Sequence, residues 1–233
     1  MTVPIRPVPP FSAAVFDMDG LLLDSERPVR DAWLQAAAEH GVALSVADYL
    51  TVVGRNERDS HALLLDLFGG DAASLGAVRQ RADGLLAERF SAAPFPVKAG
   101  ARPLLDALRD AKIPCAVASS TGHREVERRL EHAGLRGYFA AISGGDEVRH
   151  GKPAPDLYQL ATARLGVDTA RSVAFEDSNY GARAALAAGL AVVVVPDLKP
   201  PEPAWQSHCL AVLASLDDAY RHRSVWFGIV DKP

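Results

Sequence analysis

The chain has 233 residues, 48% of them hydrophobic and 23% charged, with a formal net charge of −4. That composition is globular, and the length suits one large domain or a core domain carrying a smaller insert. It lacks the basic excess of a generic nucleic-acid or anionic-membrane binder. The two cysteines, Cys115 and Cys209, are too few for a disulfide framework and have no metal-ligand spacing.

Residues 1–10 are proline-rich, unlike the apolar stretch of a signal peptide, and read as an irregular tail. Residues 12–16 read as a short buried strand ended by Asp17-Met18-Asp19-Gly20. From Ser25 to about residue 92 the pattern is helical. Ala32, Trp33, Ala36 and Ala37 recur at helical spacing before Gly41, and Ser45 with Asp48 forms a capping box. Helices over about 57–68 and 72–91 are separated by Gly69-Gly70, with Trp33 and Phe68 packing between helices.

Beyond Pro94-Phe95-Pro96 the pattern changes. Strands near 113–118, 139–142, 172–176 and 191–195 alternate with helices near 100–111, 122–133, 155–165 and 179–188. The last thirty residues give no firm pattern. Such alternation with apolar strands predicts a doubly wound α/β fold, a parallel sheet covered on both faces. Residues 11–24 and 93–233 form the core, and 25–92 an all-helical insert. The most apolar stretch, 190–195, is far too short to cross a bilayer, so a cytoplasmic protein is expected.

In open parallel sheets, ligands sit beyond the carboxyl ends of the strands. The residues placed there are Asp17 and Asp19 after the first strand, Ser119-Ser120-Thr121 after the second, and Glu176-Asp177-Ser178 after the fourth. Lys152-Pro153 comes just before the helix near 155. Each could serve as an ordinary turn or cap residue taken singly. Four carboxylates gathered at one edge repel one another, and a hard divalent cation with oxygen ligands, Mg²⁺ above all, is the usual remedy.

Residues 16–26 (Phe-Asp-Met-Asp-Gly-Leu-Leu-Leu-Asp-Ser-Glu) resemble the first motif, D-x-D-G-x-x-x-D, of the haloacid dehalogenase-like superfamily. Residues 116–120, 150–158 and 175–181 are similar to its second, third and fourth motifs, and the insert lies where the C1-capped subgroup carries its cap. The resemblance, spanning about residues 12–200, implies a Mg²⁺-dependent phosphohydrolase. Asp17 is then the nucleophile that forms an aspartyl-phosphate, and Asp19 is the acid and base. An acid at position 19 also separates the chain from true dehalogenases. The resemblance implies Mg²⁺ ligation by Asp17, the main-chain carbonyl of Asp19, Glu176 and Asp177, and phosphoryl binding by Ser119, Ser120 and Lys152. A scaffold protein on a degenerate version of this fold would show a broken motif, and none of these residues is missing.

In this subgroup the cap chooses the substrate. No lysine precedes Lys98, which excludes the Schiff-base chemistry of phosphonoacetaldehyde hydrolases. Val29 stands where the β-phosphoglucomutases carry a histidine, so a phosphosugar mutase is the second reading behind a sugar-phosphate hydrolase. Arg55 is the cap residue expected to contact substrate. The expected partner is a small phosphorylated metabolite, with neither nucleic acid nor membrane, and the chain is expected to be a monomer or weak homodimer.

Overall fold

The computed structural model describes residues 10–53, 57–91 and 93–230. Six strands form one sheet: β1 (Ala13–Phe16), β2 (Cys115–Ser119), β3 (Ala141–Gly144), β4 (Ser172–Glu176), β5 (Ala191–Val194) and β6 (Ala211–Val212). All pairings are parallel and the order is β3-β2-β1-β4-β5-β6. The insert after β1 carries four helices: α1 (Glu26–Glu39), α2 (Val46–Leu50), α3 (Glu57–Leu67) and α4 (Ala72–Phe90). The remaining helices are α5 (Ala101–Asp110), α6 (His123–His132), α7 (Asp156–Leu165), α8 (Asn179–Ala187), α9 (Pro203–Gln206), α10 (Leu216–Arg221) and α11 (Arg223–Phe227).

Successive side chains of a strand point to opposite faces, and the two faces bury different partners. Ala14, Phe16, Val173 and Phe175 pack with α5, α6, α10 and α11, whereas Val15, Ala174, Val192 and Val194 pack with α7, α8 and α9. α5 meets the sheet through Ala101, Leu104, Leu105 and Leu108, one helical stripe whose leucines each contribute roughly 1.5–3 kcal/mol by leaving water. Phe16 and Phe175 stack at 4.8 Å between ring centroids, tying the two central strands together.

Two strands begin two residues later than expected. β2 begins at Cys115 because Pro114 has no N–H for the ladder, although its carbonyl accepts from the Ala14 N–H. β3 begins at Ala141; Phe139, apolar enough to read as strand, is instead a buried loop residue set edge-on against Phe16. β6 is only two residues long and escaped sequence reading, yet it extends the sheet beside Val193 and Val194. Both cysteines are free and buried.

The four inserted helices bury a cluster of their own, built on Trp33, Tyr49, Leu64, Phe68, Leu75 and Val78. Its edge is not sharp, for Leu86 and Phe90 of α4 also pack against the sheet-side cluster. The Ser45–Asp48 capping box forms as expected. The chain leaves and re-enters the sheet body through paired segments: Leu23 bridges Val97 antiparallel, and the Asp24 N–H donates to the Pro96 carbonyl at 2.8 Å. The buried Asp197 carboxylate, beyond β5, accepts from Arg27 at the start of α1 and from Lys98, at 2.5 and 2.7 Å. No helix among the described residues is long and apolar enough to cross a membrane.

Candidate active site

From β1 the chain winds to β2 and β3 on one side, then returns to place β4 on the other side of β1. Ligands bind outside the strand carboxyl ends at such a reversal. Asp17 follows β1 at that point, and Glu176 and Asp177 end and follow β4, with the Asp17 N–H bonded to the Phe175 carbonyl at 3.0 Å. Lys152, on the loop before α7, reaches between them. Its ammonium donates to Asp17 Oδ1 and Glu176 Oε1, each at 2.5 Å, and all three side chains are buried. The Tyr158 hydroxyl donates to the same Glu176 Oε1 at 2.8 Å, and its ring faces the ammonium at 5.2 Å. Glu176 Oε2 accepts from the Asp177 N–H, the Ser178 N–H and the Ser178 hydroxyl, each at 3.0 Å.

These contacts set the charges. Burial alone would push Glu176 up, but Lys152, the Ser178 N–H and Tyr158 outweigh it and hold the carboxyl below its ordinary range. Asp17 and Asp177 go the other way. Burial, reinforced by neighbouring carboxylates, raises both well above the usual range, although Lys152 opposes it. No hydrogen bond to the Asp177 carboxylate is present among the described residues. One oxygen each from Asp17, Glu176 and Asp177 lies within 4.8 Å of the others. Three buried carboxylates against one ammonium leave negative charge in excess, and an all-oxygen donor set suits a hard divalent cation. The residues therefore fit a metal ion.

Asp17, Asp19, Ser119, Ser120, Lys152 and Asp177 line one cavity of about 450 Å³, to which the inserted helical segment adds Glu26, Val29 and Val53. Arg55, the expected cap contact, lies outside the described residues. The Asp19 carboxylate turns away from the triad. Its Oδ1 accepts from the Ser25 hydroxyl and Arg129 Nη1, both at 2.7 Å, and its Oδ2 from the Thr121 hydroxyl at 2.8 Å and, more distantly, the Ser119 hydroxyl at 3.4 Å. The Ser119 hydroxyl oxygen also accepts from the Thr121 N–H, fixing the turn into α6.

Sequence reading missed Arg129, Tyr158 and Glu26. Arg129 had a signal, since it lies on α6 three residues after the buried Val126 and next to the buried Leu130, at the flank of the apolar stripe. Tyr158 sits in the third motif at an apolar-looking position, and only the fold brings it to Glu176. Glu26, in the first turn of α1, is pushed up to about 7 by burial, with the charges of Asp19 and Asp197 adding to the effect.

Gly20, at φ 85°, has no room for a side chain, because a Cβ there would meet Asp177 Oδ2 and lie 3.2 Å from Glu26 Cγ. Gly20→Ala is therefore expected to cost about 1–3 kcal/mol in stability and to lower activity by displacing Asp177. Thermal unfolding and turnover of the same preparation check it.

A parallel sheet with acids at its switch point and a helical insert after the first strand belongs to a broad class of hydrolases. Comparison with family models places the chain in it: residues 11–189 match the haloacid dehalogenase-like hydrolase model, and the chain belongs to that family. Among curated relatives, it is 30% identical over 188 residues to the fructose-1-phosphate phosphatase YqaB of Escherichia coli (strain K12), covering 79% of this chain and 96% of that protein. A phosphorylated carbohydrates phosphatase of Thermotoga maritima is 33% identical over 178 residues, 76% of this chain and 82% of the relative. The crystal structure of CbbY from Rhodobacter sphaeroides in complex with xylulose-(1,5)bisphosphate superposes with a TM-score of 0.74 at 27% identity, covering 89% of this chain and 96% of that one.

Proposed function

We propose that the chain is a Mg²⁺-dependent phosphomonoester hydrolase acting on small phosphorylated sugars. The observation that carries this reading is the pair of acids after β1 in opposite surroundings. Asp17 joins a buried carboxylate triad beside Lys152, while Asp19 lies on the cavity wall among hydroxyls and Arg129. Two acids so separated can divide the work of nucleophile and proton carrier. The sugar preference draws on relatives whose names specify fructose 1-phosphate and phosphorylated carbohydrates. Val29, lining the cavity where the mutases would offer histidine, supports hydrolysis over phosphoryl return.

In the first half-reaction an Asp17 oxygen attacks phosphorus, the ester P–O bond breaks, and Asp19 gives its proton to the departing sugar oxygen. In the second, Asp19 takes a proton from water, the hydroxide attacks the aspartyl-phosphate, and phosphate leaves with Asp17 restored. Ser119 and the adjoining Ser120, both on the cavity wall, hold phosphoryl oxygens, and Lys152 stabilises charge growing on them. Mg²⁺ bound by Asp17, Glu176, Asp177 and the Asp19 carbonyl would offset the repulsion between the nucleophile and the anionic ester. The helical segment 25–92 serves as a cap that excludes water while the ester reacts.

The test is phosphate release from fructose 1-phosphate, glucose 6-phosphate, ribose 5-phosphate, phosphoglycolate and p-nitrophenyl phosphate, with Mg²⁺ and with EDTA. Turnover of at least one sugar phosphate, lost in EDTA and restored by Mg²⁺, is expected. Inactivity on the whole panel removes the function, and unaltered turnover in EDTA removes the metal.

A further inference from the structure

Arg129 has no part in the scheme above, yet its guanidinium touches the proton carrier. Its side chain is 19% exposed on the wall of the cavity, and two of its nitrogens are held by the chain: Nε donates to Glu125 Oε1 and Nη1 to Asp19 Oδ1, each at 2.7 Å. The planar group also lies over the Phe95 ring at 5.2 Å. Glu125 is one helical turn earlier on α6, and Arg128 with Arg129 holds its carboxyl down to about 2, so the anchor stays an anion. A guanidinium fixed on three sides is a rigid donor aimed at one oxygen.

The partners of the two Asp19 oxygens are not equivalent. Among the described residues, Oδ2 faces hydroxyls alone, from Thr121 and Ser119, and a hydroxyl can rotate to accept as well as donate. Oδ1 faces the Ser25 hydroxyl and Arg129, and an arginine N–H can only donate. A proton on Oδ1 would compete with that N–H and find only the Ser25 hydroxyl as an acceptor, whereas neither partner of Oδ2 is an obligate donor. On Oδ2 it meets an acceptor, on the side of Ser119, where the phosphoryl group binds in the proposed scheme. An aspartate carboxyl otherwise turns within a broad two-fold well, and nothing in its own chemistry selects an oxygen.

We propose that Arg129 is a positioning residue for Asp19: it pins Oδ1 and so reserves Oδ2 for the proton that passes to the departing oxygen and is later taken from water. This rests on the hydrolase reading. Arg129 does not touch the reacting atoms; it acts through Asp19.

The test uses leaving-group dependence. An alkyl phosphate needs a well-placed acid to protonate its departing oxygen, whereas p-nitrophenolate leaves without one. Wild type and Arg129→Met are compared by kcat/KM, which reports the first half-reaction, on p-nitrophenyl phosphate and on the sugar phosphate of the panel that the wild type turns over best. The expected loss is roughly 10–100-fold on the sugar phosphate and about 3-fold or less on the aryl ester. Equal losses on both esters, no loss on either, or a raised KM with kcat unchanged would overturn the assignment. Thermal unfolding is measured alongside. Should Arg129→Met fail to fold, Arg129→Lys keeps the charge but cannot serve Glu125 and Asp19 in one plane. Its alkyl-to-aryl ratio of kcat/KM is expected to fall by about 3-fold or more, and a wild-type ratio overturns the role. Wild-type protein inactive on both esters would instead remove the hydrolase reading, whereas an active wild type with an unmoved ratio removes only the part given to Arg129.

Discussion

Asp17→Asn is expected to lower kcat by roughly 10³-fold or more while leaving the thermal unfolding midpoint unchanged or higher. An amide nitrogen or oxygen cannot replace the carboxylate proposed to attack phosphorus, so activity is expected to fall whatever the substrate. Stability moves separately. Burial and the neighbouring carboxylates hold the Asp17 carboxyl above its ordinary range. A carboxyl raised on folding loses stability as pH climbs through its unfolded value, because the folded chain resists ionising it. At neutral pH the asparagine is spared that cost, and Lys152 keeps its bond to Glu176. Phosphate release and differential scanning of the same sample measure both. A variant within about ten-fold of wild-type kcat would show that Asp17 is not the nucleophile.

Lys152→Met combines the two losses. Removing the ammonium leaves Asp17, Glu176 and Asp177 buried together without their shared cation. Breaking a buried pair from one side costs about 3–5 kcal/mol, because the remaining charge stays out of water. For a chain of this size the unfolding midpoint should fall on the order of 10 °C, and kcat should fall by roughly 100-fold or more as the charge facing the transition state disappears. Mg²⁺ is expected to raise the midpoint of the variant more than that of the wild type, since the variant carries the larger uncompensated charge. A midpoint within about 2 °C of wild type would contradict the buried-pair account.

Much of this arrangement is legible in the sequence because it depends on strand ends. Once residues 12–16 and 172–176 read as parallel strands, Asp17 and Glu176-Asp177 must emerge at the same edge, and the Phe16–Phe175 register delivers them side by side. The helical insert was equally visible, from Ala32, Trp33, Ala36 and Ala37 on one face and from a capping box that forms as written. Residues that act across the chain were not. Arg129 flanks the apolar stripe of α6, but its contact with Asp19 spans 110 positions, and Tyr158 reaches Glu176 from inside an apolar helix face; no local pattern names either partner. β6 failed for another reason, since two residues hold no periodicity, and its place is set by neighbours. β3 was misplaced because a buried aromatic in a loop looks like one in a strand.

The paired segments at Leu23–Asp24 and Pro96–Val97 have an evolutionary consequence. Exit and return lie within one hydrogen bond of each other, so whatever is threaded between them closes a loop whose ends are already joined. The entropy of such a loop grows slowly, by about 0.6 kcal/mol for each doubling of its length. Segments of other sizes and sequences can therefore be grafted at this doorway without re-registering the strands beneath. Recombination at one locus would then replace the cavity wall at Val29 and Val53, provided that the graft kept the Ser25 hydroxyl that bonds Asp19.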